Sequence, residues 1–277
     1  MPPVIDSQVH VWLPEREDRP WPPGGRERAT SMHRLTPLSG ERLLEELQQA
    51  GVDRAVLVPP FFEGHRNDYA LRCARHAPDA FRVMARVDLA ARDEAAVRDV
   101  VADPLVPGLR LLFLPADGGA VLDRAADWLW PLAEQLDLPV MAFAPGQTRA
   151  LGEVARAHPR LRLAVDHLGL PPGVTDEAVA PHIADLVALA QLDNVCVKAS
   201  AVPNASTEDY PYPSLHPHLR QVLAAFGADR VFWGSDLSRL RGTYPDLVRL
   251  FREELGLSEG PRDLVMGGAL ARWLDWP

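Results

Sequence analysis

The sequence predicts a single (β/α)8 barrel domain over residues 1–277, and three observations support this fold class. Eight short apolar runs of strand length recur along the chain. Stretches with helical periodicity lie between the runs, and this alternation indicates a parallel sheet. The length suits one α/β barrel, and no G-x-G-x-x-G motif follows the first run, which weakens the alternative of an open dinucleotide-binding sheet.

The eight predicted strands are short apolar runs, and the first is rich in β-branched residues. They are VIDSQVHV (4–11), RAVLVP (54–59), FRVMARV (81–87), GLRLLFL (108–114), LPVMAFA (138–144), RLRLAVDH (160–167), NVCVKAS (194–200) and RVFWGSD (230–236). Predicted helices between them include residues 41–51, 148–158, 176–192 and 244–256, where apolar side chains recur on one helical face.

Composition narrows the function classes. The chain has 29 basic and 38 acidic residues and a formal net charge of -9, which argues against a nucleic-acid partner. No apolar run of about 18 residues and no signal peptide occur, so we expect a cytoplasmic protein that does not bind membranes. Cys73 and Cys196 lack C-x-x-C spacing and are predicted to be buried free thiols.

Polar residues concentrate at the C-terminal ends of the predicted strands, where barrels of this class place their active sites. Asp6, Gln8 and His10 alternate along the first strand and are predicted to share one face. Asp6 either holds a neighbouring backbone or side-chain group in place or acts directly in the site. Asp166 precedes His167, so alternation predicts that its side chain points outwards to the helices in a structural role.

Two long connections follow the first and seventh strands, at residues 12–38 and 200–218. Their aromatic and proline content predicts ordered lids that select the substrate. The lids contain Trp12 and Tyr210, which are predicted to contact the substrate. They also contain His33 and His216, and the position of these histidines in the lids predicts that they can reach the substrate.

Three motifs carry a resemblance to a known family. The D-x-x-V-H opening of residues 6–10, VDHLG at 165–169 and WGSD at 233–236 resemble the amidohydrolase superfamily. The similarity runs the length of the chain and is greatest to the amidohydrolase-2 branch, which includes sugar lactonases and pyrone-dicarboxylate lactonase. The resemblance implies a hydrolase with a barrel fold.

The resemblance also implies a metal-ligand set, which this chain matches only in part. The matching positions are His10, His167 and Asp236. Gln8 replaces the first histidine of H-x-H, residues 142–144 offer no histidine, and Arg110 stands where a bridging ligand would lie. A two-metal site is therefore not expected. A single Zn²⁺ held by the three matching residues is the alternative, but the branch includes members that work without metal, and we predict no required metal.

The predicted reaction is opening of a lactone, or a related ester, of a small carboxylated substrate. Asp236 is the predicted general base, with a pKa raised by burial. His10, His167 and the amide of Gln8 are predicted to donate hydrogen bonds to the carbonyl oxygen. The predicted substrate-binding residues are Arg110, Arg86, Lys198, Arg239, Trp12 and Tyr210, with Arg241 extending the positive rim.

Two other functions remain open from the sequence. One is a metal-dependent decarboxylase of the same superfamily, which would need a cation to polarise its substrate. The other is a non-catalytic binding barrel, since fold does not entail function. The predicted partner is a small anionic molecule in each catalytic case. A homo-oligomer is compatible with the sequence.

Overall fold

The computed structural model describes residues 2–30, 34, 36–114, 121 and 124–277, and it confirms the predicted barrel. Eight strands follow one another in chain order, and each neighbouring pair from the first to the eighth is parallel. The strands are β1 (Ile5–Val9), β2 (Arg54–Leu57), β3 (Phe81–Ala85), β4 (Gly108–Leu112), β5 (Val140–Phe143), β6 (Leu163–Val165), β7 (Val195–Ser200) and β8 (Val231–Gly234).

Helices lie on the outside of the strands. They are α1 (Gly25–Ala29), α2 (Gly40–Ala50), α3 (Asp68–His76), α4 (Glu94–Val101), α5 (Leu129–Gln135), α6 (Thr148–Ala157), α7 (Ala180–Val187), α8 (His216–Phe226), α9 (Tyr244–Arg249), α10 (Glu259–Asp263) and α11 (Ala269–Trp273). Ser39 caps α2 by accepting from Arg42 N, and Gly51 ends it in the left-handed conformation. None of the described helices is long and apolar enough to cross a bilayer.

Two apolar layers hold the barrel together. The inner layer includes Ile5, Met84, Met141 and Phe232, and it continues into residues of the C-terminal segment such as Leu270. This segment closes the bottom of the barrel, so the open mouth lies at the C-terminal ends of the strands. The outer layer packs the strands against the helices. Both cysteines are buried and free, as predicted.

Strand β1 contains an irregularity that changes one prediction. Asp6 pairs with Ala55 and Val9 with Leu57, so β1 uses one residue more than β2 over this stretch. The extra residue leaves Asp6 on the outer face, whereas Gln8 and His10 face the barrel interior. The prediction that all three side chains share a face is therefore wrong for Asp6.

Asp6 joins β1 to the segment after β8 at the seam of the barrel. Its carboxylate accepts from Ser235 N at 2.8 Å, from the Ser235 hydroxyl and from the Tyr244 hydroxyl at 2.7 Å. It also accepts from Gln8 N at 3.0 Å, and Asp236 N donates to Gln8 O at 2.9 Å. Asp6 therefore has a structural role, because it fixes the backbone on both sides of the seam.

Candidate active site

A cavity of about 710 Å³ opens at the mouth of the barrel. Its floor includes side chains from the ends of five strands: His10, Arg110, His167, Ser200 and Asp236. Its walls come from the loops after β4, β6, β7 and β8. Among the described residues, the structure thus brings together four of the residues predicted from the strand ends, together with Ser200.

Asp236 follows β8 in the left-handed conformation, with φ 54°, and its side chain is only 6% exposed. Oδ1 lies 3.2 Å from Nε2 of His10, and Oδ2 lies 4.0 Å from Nε2 of His167. Oδ1 is buried and accepts no hydrogen bond from the described residues, because the His10 contact has an ion-pair distance without hydrogen-bond alignment. Asp236 lines the cavity, so its carboxylate retains capacity to accept a proton from a molecule bound there.

The electrostatic state of Asp236 differs from the prediction. Burial alone would raise its pKa, but His10, together with His167 and Arg239, outweighs burial and holds the pKa well below its usual range. The carboxylate is therefore ionised at neutral pH. The predicted raised pKa is wrong because the prediction considered burial and left out the lowering effect of His10, His167 and Arg239, although it placed them in the same site.

His10 is held in one tautomer by the backbone of the next strand. Its Nδ1 lies 2.7 Å from the carbonyl oxygen of Val58, and a carbonyl only accepts, so Nδ1 carries the hydrogen. Nε2 then faces the Gln8 amide nitrogen at 3.3 Å as well as the Asp236 carboxylate. With the hydrogen on Nδ1, Nε2 accepts from the Gln8 amide when the ring is neutral and carries a hydrogen only when the ring is protonated.

Gln8 lies beneath the cavity floor and not on it. Its side chain is inaccessible, and its Oε1 accepts from the ammonium of Lys198. The amide nitrogen is thereby directed at His10. Gln8 reaches the cavity only through His10, so the structure does not place it against a substrate carbonyl as predicted.

A buried charge cluster lies in the same layer. Asp166 accepts from Arg110 Nε at 3.0 Å and forms an ion pair with Lys198 Nζ at 3.1 Å. Burial opposes ionisation of Asp166, but Lys198 and Arg110 lower its pKa overall. Lys198 is inaccessible and does not line the cavity. Lys198 is therefore not positioned to contact a substrate in this cavity, contrary to the prediction.

The prediction that Asp166 points outwards is wrong. Ala164 faces the barrel interior and Val165 packs outwards, so the alternation of β6 turns Asp166 inwards. His167 reaches the same side because its φ of 52° breaks the alternation immediately after the strand. A left-handed residue at this point could not be predicted from the sequence.

His167 is neutral in this environment. Burial lowers its pKa from 6.5 to about 4, against the opposing effect of Asp236 and Asp166. Its Nδ1 lies 2.9 Å from the Ser200 hydroxyl. The ring of Phe143 packs edge-on against it at 5.1 Å. When Ser200 donates to Nδ1, Nε2 carries the hydrogen and is a donor towards the cavity.

Arg239 and Arg241 both line the cavity but differ in their contacts. The guanidinium of Arg241 donates to the backbone oxygens of Ser206 and Thr207, which ties it to the loop after β7. Arg239 has no carboxylate within 4.0 Å in the part of the chain that the structure describes. Arg239 is therefore available to an anionic ligand.

Three predicted substrate contacts lie away from the cavity. The ring of Trp12 packs edge-on against that of Phe62, with 5.8 Å between the ring centroids, and it borders a separate cavity of about 270 Å³. The Tyr210 hydroxyl donates to Glu254 at 2.9 Å. Arg86 is buried after β3 and does not line the main cavity. The two aromatic rings bury their surface within the loop and helix packing, which the composition of the loops did not reveal.

The two predicted lids also differ. Residues 200–207 border the main cavity, whereas the described part of 12–38 does not. His216, at the start of α8, does not line the cavity. Its Nε2 lies 2.7 Å from the carbonyl oxygen of Pro211. His33 lies outside the described residues. The loop after β6, residues 168–175, also lines the cavity and was not predicted to do so, although its Pro-Pro-Gly sequence follows a strand end.

The donor set does not fit the metal site that the fold family implies. No group of three or more His, Cys, Asp or Glu side chains suited to a metal occurs among the described residues. The amide oxygen of Gln8 is bonded to the Lys198 ammonium, and Arg110 places a second cation beside it. These two positive charges oppose binding of a divalent ion in the same layer.

Comparisons with known proteins relate this chain to one family. The amidohydrolase family model matches residues 5–276. The chain is 33% identical over 254 residues to L-fucono-1,5-lactonase of Burkholderia ambifaria, which covers 87% of this chain and 83% of that protein.

Solved structures show the same fold. An amidohydrolase from Burkholderia multivorans, crystallised with bound zinc, has a TM-score of 0.79 at 21% identity and covers 99% of this chain and 100% of that one. A protein assigned as 2-pyrone-4,6-dicarboxylic acid hydrolase from Pseudomonas putida has a TM-score of 0.74 at 23% identity, covering 98% and 97%. Because the family model spans nearly the whole sequence, the chain belongs to the amidohydrolase family.

Proposed function

We propose that this amidohydrolase opens a lactone ring that carries a carboxylate, with Asp236 as the general base. The observation that carries the proposal is the ionised Asp236 carboxylate, which lines the cavity floor and whose Oδ1 has no hydrogen-bond donor among the described residues. The relationship to L-fucono-1,5-lactonase supports a lactone as the substrate.

In the proposed reaction, water attacks the lactone carbonyl carbon while its proton passes to the Asp236 carboxylate. The low pKa makes this carboxylate a weak base but keeps it ionised. When the His10 ring is neutral, the lone pair of its Nε2, 3.2 Å from Oδ1, accepts a hydrogen bond from the protonated carboxyl group. The ring C–O bond then breaks, and the same proton passes to the ring oxygen, which gives a hydroxy acid.

The oxyanion is stabilised by donors that need no metal. His167 and Arg110 both line the floor of the cavity, where the carbonyl oxygen would lie, and both side chains can donate to it. Arg239 binds the substrate carboxylate. Gln8 and Lys198 act from below by orienting His10.

The decarboxylase alternative would depend on a metal. The described residues do not form a metal-ligand group, so no observation favours it. The binding-barrel alternative does not explain why an ionised carboxylate oxygen without a donor lies beside two histidines.

The proposal is tested by lactone hydrolysis before and after chelation, together with elemental analysis. We expect hydrolysis of carboxylated lactones, no loss of activity on chelation, and a fall in kcat of about 10²–10⁴-fold in Asp236→Asn. Asp137→Asn is the matched control, since that carboxylate is 77% exposed. Full activity in Asp236→Asn would refute the base assignment, and chelator-sensitive activity with bound zinc would refute the metal-free mechanism.

A further inference from the structure

The main cavity has two chemically different sides. The side formed by β8 and β1 carries His10, Asp236 and Arg239. The opposite side runs over four consecutive strand ends, from β4 to β7. Apart from Arg110, His167 and Ser200 at the cavity floor, it is predominantly apolar. Its apolar residues include Leu112, Phe143, Leu168, Leu170, Val174 and Val202. We call this surface the apolar wall.

The polar side chains that border the apolar wall are already committed to other partners. Both ends of the Asn204 amide bond to the backbone after β8, at 2.9 and 3.0 Å. The Ser206 and Thr207 hydroxyls donate to one carboxylate, that of Asp176, at 3.0 and 2.7 Å. The Arg241 guanidinium is tied to the carbonyl oxygens of the same loop. Little hydrogen-bonding capacity therefore remains there for a ligand.

This division determines what a bound lactone can carry. A ring hydroxyl held against the apolar wall would lose its hydrogen bonds to water without gaining others, which disfavours binding. An alkyl or aryl group in the same place gains from removal of its surface from water. The cavity volume of about 710 Å³ holds a lactone ring together with such a group.

We propose that the substrate lactone carries an apolar substituent, alkyl or aryl, that binds against the apolar wall, and that polyhydroxylated sugar lactones are poor substrates. The inference rests on the proposed lactone hydrolysis at Asp236. In this arrangement the ring lies over the floor, the carboxylate lies at Arg239, and the substituent extends towards Leu170 and Val174.

The test compares two five-membered lactones that both carry a carboxylate. One is a paraconic acid with a pentyl tail, and the other is D-glucaro-1,4-lactone, which carries hydroxyls instead. We expect kcat/KM to favour the pentyl compound by at least about tenfold. An equal or higher kcat/KM for the sugar lactone would overturn the proposal.

Variants locate the preference in the apolar wall. We expect Leu170→Asn and the nearly isosteric Val174→Thr to lower kcat/KM for the pentyl compound, Leu170→Asn by about tenfold, with little change for the sugar lactone. Leu257→Asn is the matched control, since Leu257 is also half-buried but lies outside the cavity. Val174→Thr decides the question if Leu170→Asn is misfolded by circular dichroism. No selective loss in either variant would overturn the proposal.

Calorimetric binding of both lactones to Asp236→Asn separates failure of the inference from failure of the proposed function. If neither lactone is hydrolysed by the wild-type protein, the proposed function fails. Binding of the pentyl compound that is tighter than that of the sugar lactone and weakened by Val174→Thr still supports the apolar site. Equal binding, or none, overturns it.

Discussion

Lys198 is the residue on which the buried charges beneath the site depend. Its inaccessible ammonium forms an ion pair with Asp166 and donates to Gln8. Lys198→Met leaves the Asp166 carboxylate with Arg110 as its remaining cation and the Gln8 oxygen without this donor. Because Asp166 keeps the Arg110 cation, no buried charge is left uncompensated. We expect the free energy of unfolding to fall by about 1–3 kcal/mol, measured by urea denaturation, through the lost ion pair and the unpaired Gln8 oxygen.

Two further variants control this prediction. Lys198→Met with Asp166→Asn leaves the buried Arg110 guanidinium without its carboxylate, so it should deepen the loss. Arg149→Met breaks the pair of an 82% exposed arginine with Asp185 and should cost less than about 1 kcal/mol. If Lys198→Met costs no more than Arg149→Met, the buried cluster is not a source of stability.

Single residues show how far sequence reasoning extends into the site. His10, His167 and Asp236 were predicted to meet because strand ends converge at the barrel mouth, and the structure brings them together. The direction of Asp166 and the pKa of Asp236 were predicted wrongly. Both depend on contacts between residues far apart in sequence and on the left-handed backbone at His167.

At the scale of elements, the seam between β1 and β8 links stability to the position of Asp236. Tyr244→Phe removes a buried hydrogen bond to Asp6, and we expect a loss of about 1–2 kcal/mol in the free energy of unfolding. Asp6→Asn replaces an acceptor by a donor facing donors, so its loss should be larger. Because Ser235 precedes Asp236 and bonds to Asp6, kcat should fall in both variants.

Tyr210→Phe is the matched control for the seam, since its hydroxyl also bonds a carboxylate but lies outside the cavity. It should leave kcat unchanged. An unchanged kcat in Asp6→Asn would show that the seam does not position Asp236.

The strands themselves were predictable from apolar periodicity, but the extra residue in β1 was not, because pairing register is a property of two strands together.

At the scale of the whole molecule, the alternation of strands and helices was sufficient to predict the barrel, because each apolar run needs a parallel neighbour and a covering helix. Loop composition was less informative. It predicted lids after β1 and β7, yet the described cavity wall comes from the loops after β4, β6, β7 and β8. Which loop covers a barrel mouth depends on three-dimensional packing.

The stability of the molecule should depend on pH through His167. An unfolded histidine binds a proton as the pH falls through 6.5, whereas burial lowers the folded pKa of His167 to about 4. Between these values the unfolded state binds more protons, so the free energy of unfolding decreases as the pH falls. One pKa unit corresponds to about 1.4 kcal/mol, so the free energy of unfolding should fall by about 3 kcal/mol between pH 6.5 and pH 4.

Urea denaturation at pH 7 and near pH 4.5 measures this dependence in the wild-type protein and in His167→Gln. The variant lacks the titrating imidazole, so its free energy of unfolding should decrease less over the same interval. His76→Gln, at an exposed position of α3, controls for removal of a histidine as such. Parallel curves for the wild-type protein and His167→Gln would mean that His167 is protonated as readily in the folded barrel as in the unfolded chain. Near pH 5 the donor to the oxyanion would then be the imidazolium form of His167, and not the neutral ring that we propose.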